Sequence, residues 1–189
     1  MIPSATLTQF NWIDVLLFMP VMFRGVYIGI KEGVVIELFK TLGLVLISYF
    51  TLHYYSPLGD FLANNTPALP EGCYIFSYIF ISFLIWVGFT LGRQSILTIV
   101  KVETAGLLKT WGGAILGFLR GILLSSIIFI FLLMWNGSYL TGSIRQSYFG
   151  NRLTCASPNV YKFVFENIIA KFSPDERLNR RLFKLVEEE

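Results

Sequence analysis

Apolar residues fall along this chain in four long runs separated by short polar stretches. The longest, Trp111 to Trp135, reads WGGAILGFLRGILLSSIIFIFLLMW. As a helix it is roughly 36 Å long, enough to cross a ~30 Å hydrocarbon core with an indole near each interface. Three more runs approach that length: Asn11 to Ile30, anchored by Trp12; Val34 to Tyr54; and Tyr74 to Gly92. Each predicts a transmembrane helix, with Pro20 kinking the first. Residues 93–109 interleave Ile96, Leu97, Ile99 and Val100 with Lys101, Glu103 and Lys109, the pattern of an interfacial amphipathic helix. Ser56 to Gly72 carries three prolines and two asparagines and predicts a loop.

The two ends read differently. Residues 1–10 form an N-terminal tail with no Lys or Arg ahead of the apolar run, so the basic region of a secretory signal peptide is missing and the tail is expected to be retained. Asn136 to Ser157 is rich in Gly, Ser and Thr and predicts a polar linker. Pro158 then opens a short helix with Val160, Phe163, Val164, Ile168 and Phe172 on one face. Ser173, Pro174 and Glu176 make a capping box for another, continued by Leu178, Leu182 and Leu185. The expected fold is an all-α membrane protein, with four transmembrane helices in residues 11–135, packed through glycines, and a short helical C-terminal tail over 136–189.

The packing expectation rests on spacing. Gly113, Gly117 and Gly121 recur every fourth residue, share one helix face and let another backbone approach closely. Gly25, Gly29 and Gly33 repeat the spacing across the junction of the first two spans. GVYIGIKEG and GAILGFLRG therefore share small residues at three places and a charge before the last glycine, a likeness that two unrelated close-packed contacts account for, with a weak internal duplication as the alternative.

Composition narrows the function. The 189 residues are 54% hydrophobic and 14% charged, with a mean hydropathy of +0.64, whereas soluble domains carry roughly 25% charged residues. A formal charge of +3 is too small and dispersed for a nucleic-acid footprint. Two cysteines and one histidine are too few for a four-ligand zinc site, and no metal or cofactor is expected. Arg120, reckoned about 13 Å along the helix from Trp111, costs something like 3 kcal/mol in hydrocarbon if unpaired. Asp14 and Glu37 are the other intramembrane charges. Glu37 either pairs with Lys40, three residues on, or faces the bundle and neutralises Arg120. His53, beside Tyr54 and Tyr55, reads as an interfacial residue.

Lys and Arg cluster near the first and third connections, around Arg24, Lys31 and Lys40 and around Arg93, Lys101 and Lys109, while the middle loop has none. Those connections should be cytoplasmic, which puts both termini in the periplasm of a bacterial inner membrane. Cys73 and Cys155 then share a side, which leaves a disulfide open.

Trp12, Asp14, Gly29, Lys31, Gly33, Glu37 and Gly43, followed by Leu107, Leu108, Gly113, Ala114, Gly117, Arg120 and Gly121, resemble the colicin V production protein family of bacterial membrane proteins. The resemblance covers most of the four-span region, with the Arg-Gly pair its most specific part, and departs at Lys109, where the family commonly has an acid. It implies an inner-membrane protein needed for production or export of a peptide toxin, or for envelope functions more broadly. Three classes follow. The first is a non-enzymatic factor in the lipid bilayer that assembles with itself as a homo-oligomer, or with other envelope proteins, through its glycine faces. The second is an oligomeric channel or transporter subunit with Arg120, Glu37 or Asp14 lining a path. The third, an intramembrane enzyme, has no HExxH or GxSxG pattern and no nucleophile beside a base, so no catalytic residue is assigned.

Overall fold

Helix is the one regular element among the described residues of the computed structural model, which are 11–67, 69–99, 106–135, 138–172 and 176–187. The expected N-terminal tail 1–10, residues 100–105 of the expected interfacial segment, and Ser173 and Pro174 of the capping box lie outside them. Helix α1 (Met19–Glu32) follows a π-helical turn, Asp14–Phe18; α2 is Val34–Asn65, α3 Pro70–Ile99 and α4 Gly106–Met134. Beyond them come α5 (Ser138–Gln146), α6 (Tyr148–Leu153), α7 (Ala156–Val164), a second π turn (Phe165–Ile169), α8 (Ala170–Phe172) and α9 (Arg180–Glu187).

Three helices among the described residues are long and apolar enough to cross a membrane: Val34–Asn65, Pro70–Gly92 and Lys109–Met134. The expected first span, Asn11–Ile30, is not among them. Its regular α-helix has 14 residues, and Arg24, Lys31 and Glu32 fall within it. Pro20 lies in the first turn of α1, where a missing N–H is tolerated, and the irregularity is the π turn ahead of it.

Side-chain contacts fix the directions. Gly43 meets Phe89, Thr51 Oγ1 lies 3.0 Å from Ser82 Oγ, and Gly59 meets Tyr74, so α2 and α3 form an antiparallel hairpin. Val34 packs on Gly112 and Tyr78 donates to the Ile127 carbonyl at 2.9 Å, so α4 runs with α2 and against α3. Helix α1 packs along α4. The main core joins Leu44, Leu52, Tyr55, Ile127 and Ile130 to Tyr161 and Leu182 of the tail. A smaller one gathers Ile13, Phe18, Met22, Phe129 and Ile144, with Phe18 stacked on Phe149 at 4.3 Å.

Two stretches expected to be irregular are helical. Helix α2 continues through Pro57 to Asn65, about 48 Å in all, longer than a hydrocarbon core. Its far end is held by the tail: Arg181 reaches Asp60 at 3.1 Å and lies over the Tyr74 ring, whose hydroxyl also donates to Asp60. Residues 138–153, expected as linker, form α5 and α6. Thr154 and Ser157 then seat the chain on the middle of α4: Ser126 donates to the Thr154 carbonyl at 3.1 Å and accepts the Ser157 N–H at 2.8 Å, and the Ser157 hydroxyl donates to the Leu123 carbonyl at 3.2 Å. The small polar residues that suggested a linker bond to one another and to α4. Cys73 is buried and Cys155 exposed, and no disulfide joins them.

Candidate functional site

The glycines of α1 and α4 bring two backbones together. A Cβ added to Gly29 would sit 2.1 Å from the Gly113 carbonyl oxygen, and one on Gly113 would sit 2.0 Å from that of Gly29. Gly25 and Gly117 are related in the same way, at 2.7 and 2.3 Å. Residue numbers rise on one helix as they fall on the other, so the helices are antiparallel. Gly121 meets Met22, whose sulfur is the nearest atom at 2.7 Å from an added Cβ. Gly33 closes α1 with a φ of +92°, strained for any L side chain, and the stem of Lys109 covers it. A lysine serves at position 109 because its aliphatic stem packs on that turn.

Beside this contact lies a charged cluster. Glu37, fully buried at the start of α2, forms an ion pair with Arg120 Nη1 at 3.1 Å and accepts from Lys40 Nζ at 3.3 Å, both on the same Oε1. Both partners considered for Glu37 are thus engaged together. Lys40 also pairs with Glu32 across the Gly33 turn. The two acids and two bases make a neutral quartet, the arrangement in which charge withdrawn from water stands at least cost. Glu37 Oε2 has no partner among the described residues. A groove of about 480 Å³ opens next to the quartet, with Arg24, Lys40 and Arg120 at one end and Val21, Ile47 and Leu124 in its apolar part.

Asp14 is fully buried and lies elsewhere, on the tail. It accepts from the N–H groups of Tyr148 and Phe149 at 3.1 Å each, from the Asn11 N–H at 3.1 Å, and from the Ser147 hydroxyl. A carboxylate facing the first turn of α6 satisfies amides that no intrahelical bond reaches.

His53 is buried between α2 and the tail. Its Nδ1 lies 3.0 Å from the Tyr161 hydroxyl, its ring stacks on Tyr49 at 5.5 Å, and Nε2 lies 3.6 Å from Glu176. Burial raises the pKa of the Tyr161 hydroxyl, which stays protonated and accepts the Asn179 N–H at 3.0 Å. Glu32, Ser147 and Tyr161 went unrecognised in the sequence. Ser147 alone had a local signal, a Ser three residues before Gly150 at a helix start, whereas the other two act through contacts that cross a turn or the length of the chain.

Against known proteins, the family model described as Colicin V production protein matches residues 13–158, which include the α1 and α4 glycines, the charged quartet, Asp14 and Ser147. No curated protein and no solved structure matches the chain.

Proposed function

The chain belongs to the colicin V production protein family, and on that premise we propose that it is a non-enzymatic, four-span inner-membrane assembly factor. It supports toxin production or export, or a related envelope function, by holding other membrane proteins or further copies of itself. Both termini lie in the periplasm. In this reading α1 is the fourth membrane helix, shorter within the apolar layer than the other three, and lies against α4 backbone to backbone.

One observation carries the reading. The features that would build a pore or a glycine-mediated oligomer are engaged inside a single chain, whereas α3 is left open, with 11% of its apolar window buried. Phe76, Phe80 and Phe83 point outward from it. A partner therefore meets α3. The channel reading draws less support, because Arg120, Glu37 and Asp14 each bond within the chain.

In-cell photocrosslinking tests this. A photoreactive phenylalanine analogue at Phe80 or Phe83 should yield discrete protein adducts, and one at Phe23 on the exposed side of α1 should not. Adducts at Phe23 alone, or none at any position, would count against assembly through α3. Unitary currents from the purified protein in a planar bilayer would turn the reading toward the channel.

A further inference from the structure

The groove beside the quartet has a cationic end and an apolar end, and its direction in the bundle is fixed. A Cβ on Gly25 would lie 3.7 Å from the Gly121 Cα, so Arg24 and Arg120, the residues just before those glycines, stand at one level. Arg120 and Lys40 meet on Glu37, which brings Lys40 within about a turn of that level. In the antiparallel hairpin Gly43 faces Phe89, so Lys40, three residues earlier in α2, is level with Gly92, three residues later in α3. In the sequence the apolar run of α3 ends at Gly92, with Arg93, Gln94 and Ser95 next. The three cations therefore lie at the edge of the apolar layer, where phosphates of a bilayer lie, and Arg120 is not deep within it. Away from that edge the groove continues along Val21, Ile47 and Leu124, the direction an acyl chain takes.

Charge selects the headgroup. Glu37 and Glu32 neutralise Lys40 and Arg120, while Arg24 is exposed and has no ion pair among the described residues. The groove thus carries one positive charge in excess, matching the single negative charge of a phosphodiester with an uncharged headgroup.

We infer that this groove binds one anionic phospholipid, with its phosphate among Arg24, Lys40 and Arg120 and an acyl chain along Val21, Ile47 and Leu124. The inference requires the chain to lie in a bilayer but not that it assembles partners, so loss of the α3 crosslinks would leave it standing.

Native mass spectrometry of the full-length protein, released from detergent with equal phosphatidylglycerol and phosphatidylcholine, tests it. Wild type should retain phosphatidylglycerol preferentially. Arg24→Gln should cut that preference about fivefold, the effect of one basic side chain near a charged membrane surface. Lys162→Gln, in the tail helix α7, should leave it unchanged. Val21→Trp, which fills the apolar part, should reduce retention of both lipids. Equal retention of the two lipids by wild type, a preference unchanged by Arg24→Gln, or full retention by folded Val21→Trp would overturn the assignment. Should Val21→Trp fail to fold, Arg24→Gln decides alone, since no described residue pairs with Arg24.

Discussion

Glycines at four-residue spacing occur on α4 and on α3, and the molecule treats them in opposite ways. On α4, Gly113 and Gly117 lie against the backbone of α1, so close that a Cβ at either would overlap a carbonyl oxygen. On α3, Gly88 and Gly92 have nothing within 4 Å of where a Cβ would stand. Spacing makes a smooth face but does not make a contact. What separates the two is a second smooth face: Gly25 and Gly29 on α1 match Gly117 and Gly113 in antiparallel register, whereas α2 meets α3 with Gly43 and Gly59 beneath the rings of Phe89 and Tyr74, side chains rather than backbone. Two smooth faces let backbones meet, and van der Waals contact then holds them where lipid supplies no hydrophobic drive.

The sharpest way to break this contrast is Gly29→Leu. Its side chain has no room short of moving α1 off α4, and a loss above about 3 kcal/mol follows, enough to unfold a marginal domain. Buried Cys73 reports it: in a Cys155→Ser background, thiol labelling of Cys73 in mild detergent should be slow for the parent and fast for Gly29→Leu. Slow labelling of both would mean that the α1 and α4 backbones are not in contact.

Next in size is Arg120→Ala, which leaves Glu37 with Lys40 as its remaining cation in a buried site and should cost about 3–5 kcal/mol. The double change Glu37→Leu with Arg120→Leu should recover most of that loss, because an apolar pair needs no compensating charge. Cys73 labelling separates them, and a double variant no more stable than Arg120→Ala would show that Arg120 has another partner. Asp14→Asn should have a smaller effect, about 1–2 kcal/mol, since the amide keeps one oxygen for the N–H groups of Tyr148 and Phe149 but turns a donor toward others. Protease sensitivity between α5 and α7 should rise before Cys73 is exposed, because Asp14 holds the tail rather than the bundle. Simultaneous loss would mean that the tail and bundle unfold as one.

The helical class, the apolar runs and the family were legible in the sequence because each depends on residues near one another in the chain. Gly25, Gly29, Gly113 and Gly117 stood out by spacing alone, and that they face each other within one chain did not, since spacing is the same for internal and intermolecular contacts. Glu37 was ambiguous for a similar reason: Lys40 was visible three residues away, and Arg120 was a candidate by charge, but a single oxygen receiving both is a matter of tertiary placement. Residues 138–157 misled because Ser, Thr and Gly mark a loop when their hydroxyls meet water. Here Ser143, Ser147, Thr154 and Ser157 are buried, and the hydroxyls of the last three bond to Asp14, Gly150 and Leu123. Pro57 likewise signalled a stop that the Asp60, Tyr74 and Arg181 contacts override.

The smallest expected effect is the other half of the opening contrast. Gly88→Leu places a side chain in open space on a helix that faces lipid, so stability should change by less than about 1 kcal/mol, with leucine gaining slightly as the better helix former. Cys73 labelling should match the parent. The same variant bears on partners, because a bulky residue on the open face would keep another protein from lying close to α3. If Gly88→Leu leaves labelling unchanged and abolishes crosslinks from Phe80, the α3 glycines serve an intermolecular contact and the α1 and α4 glycines an internal one. Unchanged labelling with unchanged crosslinks would mean that a partner meets α3 elsewhere, and Gly88 would then be a glycine that lipid tolerates. Fast labelling would mean that α3 packs on this chain through Gly88, and the two faces would differ in degree rather than in kind.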